Sequence, residues 1–176
     1  MTELPSSLRG RVLVAGAGVS GRGCVAMLAS LGVDTTVADS NQTALAELAE
    51  EYGVATVSVD SAGQGDFDLV VTSPGWRPDS PLLVALQDAG VEVIGDVELA
   101  YRLDRAGVFG APRTWLVVTG TNGKTTTTGM LAQIMQADAE RTGKRALAVG
   151  NIGVSLFDAL TATPRVDVLC AELSSF

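Results

Sequence analysis

Histidine is missing from all 176 residues of this chain. Its absence removes the commonest general base and the commonest metal ligand, so any metal must be held by oxygen, which suits Mg²⁺ and disfavours zinc. Cysteine is nearly absent as well. Cys24 and Cys170 stand far apart among apolar neighbours, which argues against a disulfide framework and predicts two reduced, buried thiols. Charged residues make up only 18% of the chain, and 12 Lys and Arg face 20 Asp and Glu for a net charge of −8. That sign argues against nucleic acid or an anionic membrane as a general partner, so anions must be gripped by local devices. No apolar run approaches the ~18 residues that span a bilayer. The first eleven residues are polar and lack the apolar centre of a secretory signal. A cytoplasmic protein is expected.

What the chain does have is apolar content, 47% by composition, as in parallel sheets covered on both faces. Strand-like and helix-like segments alternate throughout. Strands are expected at residues 11–15, 33–38, 54–59, 68–72 and 91–94, with helices at 20–31, 42–52, 80–89 and 96–105 and a polar loop at 60–65. Residues 106–113 carry two glycines and a proline without periodicity and are expected to divide two domains, 1–110 and 111–176. The second begins with a strand ending at Val118, then a helix at 125–138, a strand at 145–149, a helix at 154–160 and a strand at 166–171. The fold class is α/β: a Rossmann-like parallel-sheet domain followed by the start of a phosphate-loop ATP-binding domain whose sheet is expected to be incomplete.

The segment from Trp115 to Thr128 carries the strongest chemical signal. An apolar strand breaks into Gly120-Thr121-Asn122-Gly123, followed by Lys124-Thr125-Thr126 and a helix. Two glycines let successive N–H groups point into one cavity, an anion nest at a helix N-terminus. Lys124 is placed to reach the outer phosphates of a nucleoside triphosphate, and the Thr125 hydroxyl to ligate Mg²⁺. The match is not strict, because Val118 stands where the full phosphate-loop pattern has its first glycine. A glycine turn with a chance Lys-Thr is the bland alternative.

A second glycine turn, Gly16-Ala17-Gly18-Val19-Ser20-Gly21, follows the first strand, and Asp39 ends the next. Alone it says only that a diphosphate-sized anion sits at a helix N-terminus, a description NAD, FAD and UDP-sugars all meet. Glu172 closes an apolar strand where phosphate-loop proteins place an acid that holds Mg²⁺, although a plain strand-end carboxylate fits too. The loops Ser73-Pro74-Gly75 and Gly150-Asn151-Ile152-Gly153 lie at other strand ends and read slightly better as simple turns. Trp76 and Arg77 read as surface loop residues. Glu47, Glu50 and Glu51 read as the solvated face of a helix.

Taken together, these segments resemble the Mur ligases. The resemblance rests on Gly-Thr-Asn-Gly-Lys-Thr at 120–125, Gly-Asn-Ile-Gly at 150–153, Glu-Leu-Ser-Ser-Phe at 172–176, Ser-Pro-Gly at 73–75 and Gly-Asp-Val-Glu-Leu at 95–99. It is nearest the branch that joins D-glutamate to UDP-N-acetylmuramoyl-L-alanine in peptidoglycan precursor synthesis, with ATP and Mg²⁺ as cofactors and a monomer at full length. It implies that Gly18, Val19, Ser20, Asp39, Ser40, Ser73 and Gly75 surround the UDP-sugar. It also implies that Gly120, Thr121, Asn122, Gly123, Lys124, Thr125 and Thr126 hold ATP, that Thr125 and Glu172 ligate Mg²⁺, and that Asn151 contacts the muramoyl-alanine end. Lys124 and Asn151 would be the catalytic pair. In the family a carbamylated lysine, a histidine and a third domain complete the site; none is found here, so the chain is expected to bind ligand without turnover. Two rival readings stand beside it: an NAD-dependent oxidoreductase resting on the first glycine turn and Asp39, and a non-catalytic nucleotide-binding module.

Overall fold

A computed structural model describes residues 4–173. The chain divides into two compact units, one up to Leu99 and the other from Ala100 onward. The division falls inside a helix, upstream of the linker expected at 106–113.

The first unit is a five-stranded sheet in the order β3-β2-β1-β4-β5, with every neighbouring pair parallel. Its strands are β1 (Val12–Ala15), β2 (Thr35–Ala38), β3 (Ala55–Val57), β4 (Leu69–Thr72) and β5 (Glu92–Gly95). β1 is buried along its whole length because it lies at the centre, while β3 forms an edge and is largely exposed. Side chains alternate across the sheet. Leu13, Ala15 and Val70 join Leu82, Leu83 and Leu86 of α4 (Pro81–Asp88) in one core layer. α1 (Val19–Ser30) packs on β1, β2 and α2 (Gln42–Tyr52).

Local signals explain the helix ends. Asn41 caps α2 by accepting from the Ala44 N–H at 3.1 Å, and Gly53 closes it in the left-handed conformation. The acidic face of α2 is exposed as expected, and Glu47 and Glu51 also take both guanidinium nitrogens of Arg22 on α1. The polar segment after β3 is a correction: residues expected as a loop contain α3 (Val59–Ala62), a single turn capped by Ser58. Its period was too short to register as a helix.

The second unit holds β6 (Thr114–Val118), β7 (Ala146–Gly150) and β8 (Val168–Glu172) as a parallel sheet in the order β6-β8-β7. Between them run α6 (Lys124–Ala137), a further turn α7 (Ala139–Thr142) absent from the sequence reading, and α8 (Leu156–Thr161). β8 is central and wholly buried. Cys170 lies in this core and Cys24 in that of the first unit, both as free thiols, as their neighbours led one to expect.

α5 (Asp96–Arg105) ends in a buried ion pair. Arg113 donates from one guanidinium nitrogen to Asp104 Oδ1 at 2.6 Å, from Nε to the Val166 carbonyl at 2.9 Å, and from the other nitrogen to the Leu160 carbonyl at 2.6 Å. Asp104 Oδ2 accepts from the Arg113 backbone N–H and from Trp115 Nε1, each at 2.9 Å. Both charged side chains are essentially inaccessible. The cluster ties the end of α5 to β6, α8 and the approach to β8, and no sequence motif announced it.

Candidate functional site

In the first unit the chain runs β1 to β3 toward one edge of the sheet and β4 to β5 toward the other, so order reverses between β1 and β4. Open parallel sheets bind ligands above the strand ends at such a switch point. Gly16 leaves β1 with φ +108, and a Cβ there would meet Ser73 Oγ at 2.5 Å and Trp76 Nε1 at 3.1 Å. The first glycine turn and the Ser73-Pro74-Gly75 loop are therefore neighbours, as their common assignment to one ligand requires. Gly21 has a different reason for being glycine: a Cβ would lie 1.8 Å from the Gly16 carbonyl oxygen. α1 seats directly on the turn.

Gly18 is the N-cap of α1 and makes no side-chain cap, so the first N–H groups of the helix have no side-chain acceptor there. Val19 beside it is 89% exposed. Asp39 accepts from the Ala17 N–H at 2.6 Å and from the Asn41 N–H at 2.8 Å. Partial burial pushes its carboxyl up, but N–H donation from Ala17, Asn41 and Ser40, with the Ser40 hydroxyl, outweighs burial and holds it below the usual carboxylate range. Asp39 thus pins the glycine turn to the end of β2.

Two neighbours escaped the sequence reading. Trp76 lies in the loop after β4 as expected, but it is half-buried and packs on the core beside Gly16; Arg77 is exposed and pairs with Asp79. Asp96 opens α5 and takes a hydrogen bond from the Ser20 hydroxyl. Burial pushes its carboxyl above the ordinary range, against the opposing pull of the Val97 N–H and Ser20. The motif Gly-Asp-Val-Glu-Leu held the signal, without a role attached to the aspartate.

In the second unit β6 breaks at Gly120, with φ +141, and Gly123 caps α6 with φ +74. Both conformations belong to glycine. Thr121 and Asn122 are exposed between them, and Thr126 is exposed on the first turn of α6. Lys124 Nζ donates to the Gly120 carbonyl at 2.7 Å, which holds the ammonium over the loop. The Thr125 hydroxyl donates to Glu172 Oε1 at 3.3 Å, joining the loop to the end of β8. Glu172 is 4% exposed, and its other oxygen, Oε2, is buried without a hydrogen-bond partner. A buried carboxylate oxygen with no partner is costly unless a cation answers it. Asn151 follows β7 and donates its N–H to the Glu172 carbonyl at 3.3 Å, so its loop lies beside this acid. Of the motif at 172–176, the last three residues lie outside the described residues.

Residues 10–95 match the model of the Mur ligase MurD-like N-terminal domain, and residues 118–176 that of the Mur ligase middle domain. Among curated proteins, the UDP-N-acetylmuramoylalanine–D-glutamate ligase of Corynebacterium diphtheriae is 66% identical over 96% of this chain and 35% of its own length. The enzyme of that name from Corynebacterium efficiens is 60% identical over 100% of this chain and 37% of its own. The one from Rhodococcus jostii is 54% identical over 96% and 34%. The chain thus spans about a third of the length of the curated relatives it matches.

Proposed function

This chain belongs to the Mur ligase family, and on that premise we propose that it supplies the UDP-substrate unit and part of the ATP unit of an ADP-forming ligase joining D-glutamate to UDP-N-acetylmuramoyl-L-alanine. The observation that carries the ATP half is Glu172. An acid with one unpartnered buried oxygen, bonded through the other to the threonine that opens a glycine-loop helix, is a place for a hard cation. Thr125 Oγ1 and Glu172 are oxygen donors of the type Mg²⁺ takes, so the residues fit that ion. When bound, Mg²⁺ would neutralise charge on the phosphates.

The chain's own residues supply the rest. N–H groups curled by Gly120 and Gly123 receive phosphate oxygens, and Lys124 adds a positive charge beside them. In the first unit, the turn between Gly16 and Gly21, pinned by Asp39, receives the diphosphate at the N-terminus of α1. Val19 covers the nucleoside, and Ser40, Ser73 and Gly75 border the same ligand. Asn151 meets the muramoyl-alanine end. The alanyl carboxylate attacks the γ-phosphorus of ATP, forming an acyl phosphate and releasing ADP. The amine of D-glutamate then attacks the acyl carbon, loses a proton and expels inorganic phosphate. Two anions must approach in the first step, and the Lys124 ammonium with the loop N–H dipoles offsets their repulsion.

The sheet of the first unit also fits a nicotinamide cofactor, but that reading leaves Lys124, Thr125 and the unpaired Glu172 oxygen without a purpose. Calorimetric titration with UDP-N-acetylmuramoyl-L-alanine, Mg-ATP and NADH separates the two. Binding of the first two without NADH is expected. NADH binding with no response to UDP compounds would overturn the proposal.

A further inference from the structure

We propose that Gly150 is the positioning residue for the Glu172 carboxylate, because its missing side chain lets the end of β7 close onto the Glu172 backbone. The inference deepens the reading of Glu172 as a cation-holding acid and rests on it. Gly150 lies level with Glu172 in the parallel ladder and has φ +94. A Cβ at this position would stand 2.4 Å from the Glu172 carbonyl oxygen. That oxygen is backbone, so it cannot swing aside as a side chain would.

The same carbonyl accepts from the Asn151 N–H at 3.3 Å. On the other side of β8, Glu172 is level with Val118, whose carbonyl accepts from the Leu173 N–H at 2.9 Å. The main chain at Glu172 is thus clamped between the ends of β6 and β7, and the carboxylate can lie only where that clamp allows. Gly153 closes the loop: with φ +77, a Cβ there would be 2.1 Å from the Ala148 carbonyl oxygen, and Val154 N–H bonds that carbonyl at 3.3 Å. The loop turns back on β7 and holds Asn151 over Glu172. Alanine at 150 must push β8 away or turn the loop outward, and either change moves the acid relative to Thr125.

The test is the Mg²⁺ dependence of ATP binding, read by calorimetry. Gly150→Ala is expected to raise the half-saturating Mg²⁺ concentration by roughly tenfold or more, the scale on which supports of a metal ligand act. ATP binding in excess EDTA should stay at the wild-type level, because Gly120, Gly123 and Lys124 are untouched. Gly143→Ala strains a left-handed glycine at the end of α7, outside this loop, and should lower the melting temperature without changing the Mg²⁺ requirement. An unchanged requirement in Gly150→Ala, or an equal shift in Gly143→Ala, would overturn the inference. Glu172→Gln separates it from its premise: if that variant keeps the wild-type Mg²⁺ dependence, the reading of Glu172 itself fails. Should Gly150→Ala not fold, amide exchange at Asn151 in the unaltered protein decides. Mg-ATP should slow that exchange relative to ATP with EDTA, and no difference would overturn the coupling.

Discussion

Replacing Arg113 with methionine tests whether the buried cluster beneath β6 holds the second unit together. The substitution keeps most of the aliphatic stem but deletes three side-chain hydrogen bonds, to Asp104, Val166 and Leu160. Two carbonyls and one carboxylate oxygen lose those donors inside the protein. Each such loss costs about 1–3 kcal/mol, and removing one partner of a buried ion pair typically costs about 3–5 kcal/mol in all. For a unit of this size each kcal/mol moves the midpoint by about 4–8 °C, so the transition should fall by more than about 12 °C. Trp115 is a built-in reporter, since its indole N–H bonds Asp104. Trp76→Phe in the background makes it the sole tryptophan, because the chain has two. Adding Asp104→Asn to Arg113→Met should recover part of the loss, since a neutral amide oxygen can still accept from Trp115 without burying a charge. A single-variant loss below about 1 kcal/mol in urea titration would refute the reasoning.

Lys124→Ala should abolish Mg-ATP binding while leaving the affinity for UDP compounds near wild type; calorimetry that lost both would show the assigned division of labour to be wrong. Gly21→Ala forces a methyl group onto the Gly16 carbonyl and should destabilise the first unit by about 1–3 kcal/mol, read from Trp76 fluorescence during denaturation. Asp39 titrates below its ordinary value in the folded protein, so its stabilisation is present above the unfolded pKa of about 4 and lost as pH falls through the folded value. Asp39→Asn should therefore lower the urea midpoint at pH 7 and flatten its dependence on acid; an unaltered acid limb would contradict the hydrogen bonding to Ala17 and Asn41.

Much of the fold could be read in one dimension because its causes are local. α2 and α5 match the expected ranges, since Asn41 and Gly53 bracket the first helix and a strong apolar period marks the second. β1, β4 and β8 are apolar runs because central parallel strands are buried on both faces. The glycines of both turns were equally legible, since positive φ and close backbone approach leave few alternatives. α3 and α7 were not, being too short to establish a period.

What sequence spacing could not show is which distant residues meet. Chain order says nothing of the sheet order that sets Gly16 beside Ser73 and Trp76, or Gly150 level with Glu172. Asp104 fell in an expected helix and Arg113 in the expected linker, with no role given to either, and only the fold brings them together as a buried, satisfied pair. The residue types and turns prescribed what each strand end can grip. Packing decided which ends stand together, because the hydrophobic drive that orders the strands depends on whole faces and carries no local signature.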